Sequence, residues 1–261
     1  MADQSDKIDQ WDDWVVQYCQ CNNAPWRTYC ELPTLQKLVG DLSGKSVLNI
    51  ATRDGSIARH LKVWGADRVL GIDQSRSMID LARQHEHSNP MGIDYLCTSL
   101  VGMNLLESFD LIVVGWQLDM ARSVDQLRSM LHAISRHLRH RGRLIAINHS
   151  DERSPEYLAL LEKYGLHKSA KGPIDDGTPI YWKYHLPDGH AVSGQDFFVS
   201  PTTMRGVMEE VGLRQFRRQV PLVSVEGLRL YGKKFWADLL EHPYVVFFDA
   251  VKLGGINPEA C

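Results

Sequence analysis

Gly65-Ala66-Asp67-Arg68-Val69-Leu70-Gly71-Ile72-Asp73 runs directly into Gln74-Ser75-Arg76-Ser77-Met78-Ile79-Asp80-Leu81-Ala82-Arg83, and this junction decides the fold. Arg68 to Ile72 reads as a short apolar strand that stops on an acid. Ser77 to His87 instead carries its apolar residues at three- and four-residue steps, the period of a helix packed on one face. Working outward, strand-like runs recur at Ser46 to Ile50, Asp94 to Cys97, Leu111 to Val114 and Arg143 to Ile147, with helical segments at Ile57 to Trp64 and Val124 to Leu138. Such alternation predicts an α/β chain, a doubly wound and mostly parallel sheet covered by crossover helices. The rhythm returns with a helix from Ser200 to Val211, stopped by Gly212, and two further strand-like runs, Gln215 to Leu222 and Tyr244 to Val251.

Two segments interrupt this pattern. Residues 1 to about 40 concentrate Trp11, Trp14, Tyr18, Trp26 and Tyr29, with a turn at Asn22-Asn23-Ala24-Pro25, and read as an N-terminal helical lid. Residues 151–199 are rich in Gly, Pro, Asp and aromatics and read as an inserted cap or substrate region. The expected organisation is a lid (1–40), a core (41–150), the cap (151–199) and a C-terminal completion of the sheet (200–261).

Composition narrows the class. The 261 residues hold 29 Lys plus Arg against 32 Asp plus Glu, a net charge of −3, with 44% apolar residues, which describes an ordinary globular protein with a sizeable core. The near balance of charge provides no field for nucleic acid. No stretch reaches the roughly 20 apolar residues of a spanning helix, and the acidic Met1-Ala2-Asp3-Gln4-Ser5-Asp6 does not look like a signal peptide, so a cytoplasmic protein with no membrane partner is expected. Five irregularly spaced cysteines fit reduced thiols. Cys19, Cys21 and Cys30 lack a second ligand pair, so no metal site is expected. Gly44-Lys45-Ser46 precedes a strand where a phosphate loop follows one, and the basic run from Ser135 to Arg143 reads as a helix end and turn.

In a doubly wound sheet, ligands bind outside the carboxyl ends of the strands where strand order reverses. The turn Asn49-Ile50-Ala51-Thr52-Arg53-Asp54-Gly55-Ser56 and the acid Asp73 stand at such ends, and an acid about 20 residues beyond a glycine-bearing turn is the ribose-binding arrangement of nucleotide sites.

The wording around Asp73 resembles the second motif of class I S-adenosyl-L-methionine (SAM) dependent methyltransferases, a GA…V.G.D strand leading into a DxSxxMxxxAR helix. The resemblance extends through Ser43 to Leu48, Phe109 to Val113, Arg141 to Leu144 and Ser200 to Leu213. Lys234-Phe235-Trp236 and the segment from Tyr244 to Lys252 are further similar to small-molecule methyltransferases of the toxoflavin-biosynthesis type. It implies a seven-stranded Rossmann-like sheet and SAM as cofactor. It also implies that Asp73 holds the ribose, Gln74 and Met78 flank the adenine, Ser99 and Leu100 lie beside the adenine amine, Ala51 and Gly55 admit the methionine part, and Trp116 and Gln117 face the ligands. Three positions depart from the family pattern: Asn49 replaces the acid that ends the first strand, Arg53 the middle glycine, and Ser99 the adenine-side acid. Asn49 and Ser99 can still form hydrogen bonds, and Arg53 can grip the methionine carboxylate.

A sulfonium needs aromatic walls, and the candidates are Tyr18, Trp26, Trp116, Tyr181, Trp182 and Tyr184. His149, Asp151 and His185 are candidate bases. The expected activity is methyl transfer to a small, aromatic or heteroaromatic acceptor of natural-product type. The alternatives are an enzyme of the same fold that cyclises SAM to azetidine-2-carboxylate and methylthioadenosine, resembling azetidine-carboxylate synthases, and a catalytically silent SAM-binding protein.

Overall fold

A computed structural model describes Val15, Cys19 and residues 21–150, 160–186 and 189–253. A π-helical turn, Arg27–Glu31, leads into α1 (Leu32–Val39). The core then alternates: β1 (Ser46–Ile50), α2 (Ser56–Val63), β2 (Arg68–Asp73), α3 (Arg76–Ser88), β3 (Ile93–Cys97), β4 (Phe109–Gly115), α4 (Val124–Arg136) and β5 (Leu138–His149). Three further strands, β6 (Leu166–Ala170), β7 (Pro179–His185) and β8 (Ala191–Phe197), form a separate antiparallel sheet. The chain ends with α5 (Pro201–Glu210), β9 (Leu213–Gln219), α6 (Val225–Glu241) and β10 (Val245–Lys252).

The large sheet has seven strands in the order β3-β2-β1-β4-β5-β10-β9. β1 to β5 pair in parallel, while β10 lies antiparallel between β5 and β9. This is the doubly wound, mostly parallel α/β sheet that the alternation of runs implies. Strand order reverses between β1 and β4, so the crevice at their carboxyl ends is where a ligand belongs.

Each central strand is apolar on both sides because both faces are covered. Val47, Val69, Val113 and Ile145 join the core under α1, α2, α3 and α6. Leu48, Leu70, Ile112 and Leu144 join the one under α4 and α5. The small sheet shares the first core through Leu166, Tyr184 and Val192. Trp236 on α6 is fully buried and donates its indole N–H to the Gly227 carbonyl at 2.8 Å. Losing a side chain of that size from a packed core costs about 3–5 kcal/mol.

Serines start four of the helices. Ser75, Ser123, Ser200 and Ser224 each accept a backbone N–H from three residues onward, at α3, α4, α5 and α6. Such a cap is worth about 1 kcal/mol, and at Ser75 it also fixes the exit of the chain from Asp73. Among the described residues no helix is long and apolar enough to cross a membrane, and no group of three His, Cys, Asp or Glu could hold a metal ion.

Candidate active site

The site starts where the chain leaves β1 and β4. Five non-glycine residues among those described have positive φ, and three of them, Ala51 (54°), Arg53 (55°) and Trp116 (58°), stand at these two strand ends. Holding a side chain in the left-handed region costs on the order of 1 kcal/mol or more, and such strain gathers at functional sites. Asn49 stabilises the turn from within: its amide donates to the Val113 carbonyl at 3.2 Å and its oxygen accepts from the Thr52 hydroxyl at 2.8 Å. Gly55 (φ 82°) closes the turn, and a Cβ there would stand 2.4 Å from the Tyr95 hydroxyl oxygen.

Asp73 at the end of β2 is buried and accepts backbone N–H groups on both oxygens, from Arg53 at 2.9 Å and from Ser75 at 2.9 Å. Burial pushes its pKa up, and those amides oppose the rise. A carboxylate offers about four lone-pair sites, and with the Gln74 amide as a third backbone donor about one remains for a ligand. Asp73 lines a cleft of about 480 Å³ together with Ala51, Arg53, Gln74, Ser75, Met78, Trp116, Gln117 and Met120.

A second cleft of about 510 Å³ adjoins the first, and Arg53, Trp116 and Met120 line both. Its walls are Trp26, Trp116, Trp182, Tyr184 and Tyr244, with Cys21, Arg27, His149 and Asp196 among the polar lining. Trp26 meets Tyr244 at 5.0 Å, Trp116 at 5.9 Å and Tyr184 at 6.5 Å between ring centroids, all edge-to-face. Trp116 is held by Glu31, which accepts its indole N–H at 3.1 Å and faces Arg27 at 3.7 Å. Burial pushes the Glu31 carboxyl up, opposed by Arg27 and Arg53.

Behind the aromatic cleft lies a cluster of buried charge. His149, the last residue of β5, places Nε2 2.5 Å from Asp196 Oδ2 and packs edge-on against Trp116 at 4.7 Å. Asp119, in the helical turn Leu118–Met120, accepts the Asn148 amide at 2.6 Å and the His149 backbone N–H at 2.8 Å. Burial pushes Asp119 up to about 6 and Lys168 down to about 8. His149 falls well below the usual histidine value, through burial first and then the charge of Lys168, with Asp119 opposing. It is therefore neutral at pH 7, the form that can accept a proton.

The candidates named from the sequence divide accordingly. Ala51, Arg53, Asp73, Gln74, Met78 and Trp116 meet around the first cleft, and Trp26, Arg53, Trp116, His149, Trp182 and Tyr184 around the second. Asn49 and Gly55 shape the turn and line neither. Ser99 is exposed, with its hydroxyl accepting the Gly102 N–H at 3.0 Å, and Leu100 packs into the core. Tyr181 alternates with Trp182 along β7 and so points to the outer face, 40% exposed; His185 is on that face too. Tyr18 and Asp151 lie outside the described residues.

Arg27, Glu31, Asp119, Lys168, Asp196 and Tyr244 are contributors that motif reading missed. The signal for Lys168 and Asp196 is strand alternation, which sets each beside the inward-facing Leu166 or Gly194.

Residues 47–142 match the family model of the methyltransferase domain. Two curated relatives, both named ubiquinone biosynthesis O-methyltransferase, are 35% identical over 30% of this chain and 30% of theirs (a Bradyrhizobium species), and 33% identical over 34% and 36% (Nitrobacter winogradskyi). The chain thus spans about a third of the length of these relatives. Among solved structures, an S-adenosylmethionine-dependent methyltransferase from Clostridium acetobutylicum superposes with a TM-score of 0.60 at 16% identity, over 97% of this chain and 100% of that one. The DhpI-SAM-HEP complex does so with a TM-score of 0.62 at 16% identity, over 94% and 95%. The resemblance of the Asp73 region is thereby borne out: residues 47–142 match the methyltransferase domain, and the chain has the fold of class I SAM-dependent methyltransferases.

Proposed function

We propose that this protein is a SAM-dependent methyltransferase acting on the oxygen of a small aromatic acceptor. The observation that carries this reading is the joining of two clefts, one built on Asp73 and one walled by five aromatic rings, at the shared residues Arg53, Trp116 and Met120. The residues fit SAM: Asp73 keeps acceptor capacity for the ribose diol, Gln74 and Met78 lie beside it for the adenine, and Arg53 provides a cation for the methionine carboxylate. When bound, SAM supplies an electrophilic methyl on a good leaving group.

The chain's own work is then alignment, exclusion of water and removal of one proton. The aromatic walls hold a planar acceptor and face a positive sulfonium with ring π-density. His149 Nε2 faces Asp196 Oδ2 at 2.5 Å, which leaves Nδ1 as the base; among the described residues Nδ1 has no hydrogen-bond partner. The charge lost at sulfur reappears on the imidazolium, which Asp196 and Asp119 stabilise in a buried setting. The names of the curated relatives support oxygen as the attacking atom.

The same walls also support cyclisation of SAM, which needs a desolvated pocket of this kind. Mass spectrometry of the purified protein with SAM, without and with a panel of hydroxylated aromatics, separates the readings. S-adenosylhomocysteine formed only with an acceptor supports the proposal. Methylthioadenosine and azetidine-2-carboxylate from SAM alone replace it with the cyclase, and SAM that binds and stays intact throughout replaces it with a silent binding protein.

A further inference from the structure

Lys168 is 4% exposed, an unusual place for an ammonium group. It lies on the inner face of β6, opposite Trp182, with Nζ 4.5 Å from the centre of the Tyr244 ring. Tyr244 in turn packs on His149 at 5.3 Å and on Trp116 at 5.7 Å. Lys168 does not line the aromatic cleft. It lines a cavity of about 490 Å³ on the other side of His149, shared with Asp119, Asp196 and a cluster of phenylalanines. A buried cation thus stands directly behind the proposed base.

The charged and titratable groups facing His149 are Asp119 from the helical turn after β4, Asp196 from β8, Lys168 from β6, Arg53 from the β1 turn, Arg27 from the lid and Tyr244 before β10. Asp119 and Asp196 favour the imidazolium. Lys168 opposes both, and it is the leading charge working with burial to keep the ring neutral.

We propose that Lys168 is a positioning residue for methyl transfer, its buried ammonium set in one cavity with His149, Asp119 and Asp196 so that the imidazole is kept available as the base. This rests on the reading of His149 as the base. Without the ammonium, the two carboxylates are opposed only by burial and the more weakly acting Arg53 and Arg27, the imidazole holds a proton to higher pH, and its capacity to deprotonate an acceptor falls on the acid side. Arginine keeps the charge, whereas glutamine and methionine remove it.

The test is a titration of the histidine rings by NMR, with His149 assigned from the spectrum of His149→Gln, in wild type, Lys168→Met, Lys168→Gln and Lys168→Arg. The expected result is a His149 that titrates below the ordinary histidine value in wild type and Lys168→Arg, and an upward shift of roughly one pH unit or more in the two neutral variants. The acid limb of kcat/KM should move up by the same amount, with the lost rate returning at alkaline pH. An unshifted His149 in a folded neutral variant overturns the proposal, as does a wild-type His149 that titrates at or above pH 6.5. The NMR readout needs no turnover, so failure to detect methyl transfer would remove the reaction while leaving the role of Lys168 decided by the titration.

Discussion

The indole N–H of Trp116 donates to the carboxylate of Glu31 at 3.1 Å, across 85 residues of sequence and out of contact with water. One bond joins the π-helical turn Arg27–Glu31 to the end of β4, and it holds in place the ring that both clefts share.

Glu31→Ala therefore strands the Trp116 N–H and removes the carboxylate facing Arg27. Breaking a buried charged contact from one side is expected to cost about 3 kcal/mol, measured by urea denaturation. Glu31→Gln, which keeps an acceptor oxygen, should lose less. Equal stability of all three proteins would show that this contact does not tie the N-terminal segment down.

Asp73→Ala should weaken SAM binding by about 1–3 kcal/mol, the worth of a lost hydrogen bond to a charged group. Calorimetry measures it directly. An unchanged Kd would reject the placement of the nucleoside.

Gly194→Ala addresses the aromatic cleft. A Cβ at this position would fall 2.4 Å from Cζ2 of Trp182, so the indole must move. Overpacking of this kind costs about 1–3 kcal/mol, and the acceptor KM should rise while the Kd for SAM stays as it was. If both constants are unaltered, Trp182 is not part of the acceptor wall.

The buried groups also set a pH dependence. His149 has a folded pKa below its unfolded value of 6.5, so the unfolded chain takes up the proton first and stability contributed by His149 is lost as pH falls below that value. Asp119 works in the opposite sense: its carboxyl is raised from 3.8 to about 6, so its contribution is present below pH 4 and lost as pH rises through 6. His149→Gln removes the first effect, and denaturation from pH 7 to pH 5 should show wild type losing stability relative to the variant. A constant difference across that range would mean His149 is not held neutral by the fold.

Much of the fold is legible along the chain because its signals are local. The apolar run ending at Asp73, the serine that caps α3 and the helical period after it lie within twenty residues, and propensity, capping and periodicity all act over such distances. The Asp73 cleft inherits this legibility, since Asp73, Gln74, Ser75 and Met78 are neighbours in sequence as well as in space. The aromatic cleft does not. Tyr181 and Trp182 look equivalent as letters, yet strand alternation sends one outward and the other into the wall.

The order of apolar runs was enough to establish a doubly wound sheet and an acid at its switch point, because backbone hydrogen bonding and burial of alternate faces leave few other arrangements. Which rings wall the second cleft, and which cation stands behind His149, was decided only by tertiary packing. Trp26, Trp116, Lys168, Asp196 and Tyr244 come from five separate segments, and their electrostatic coupling exists only after folding removes the water between them.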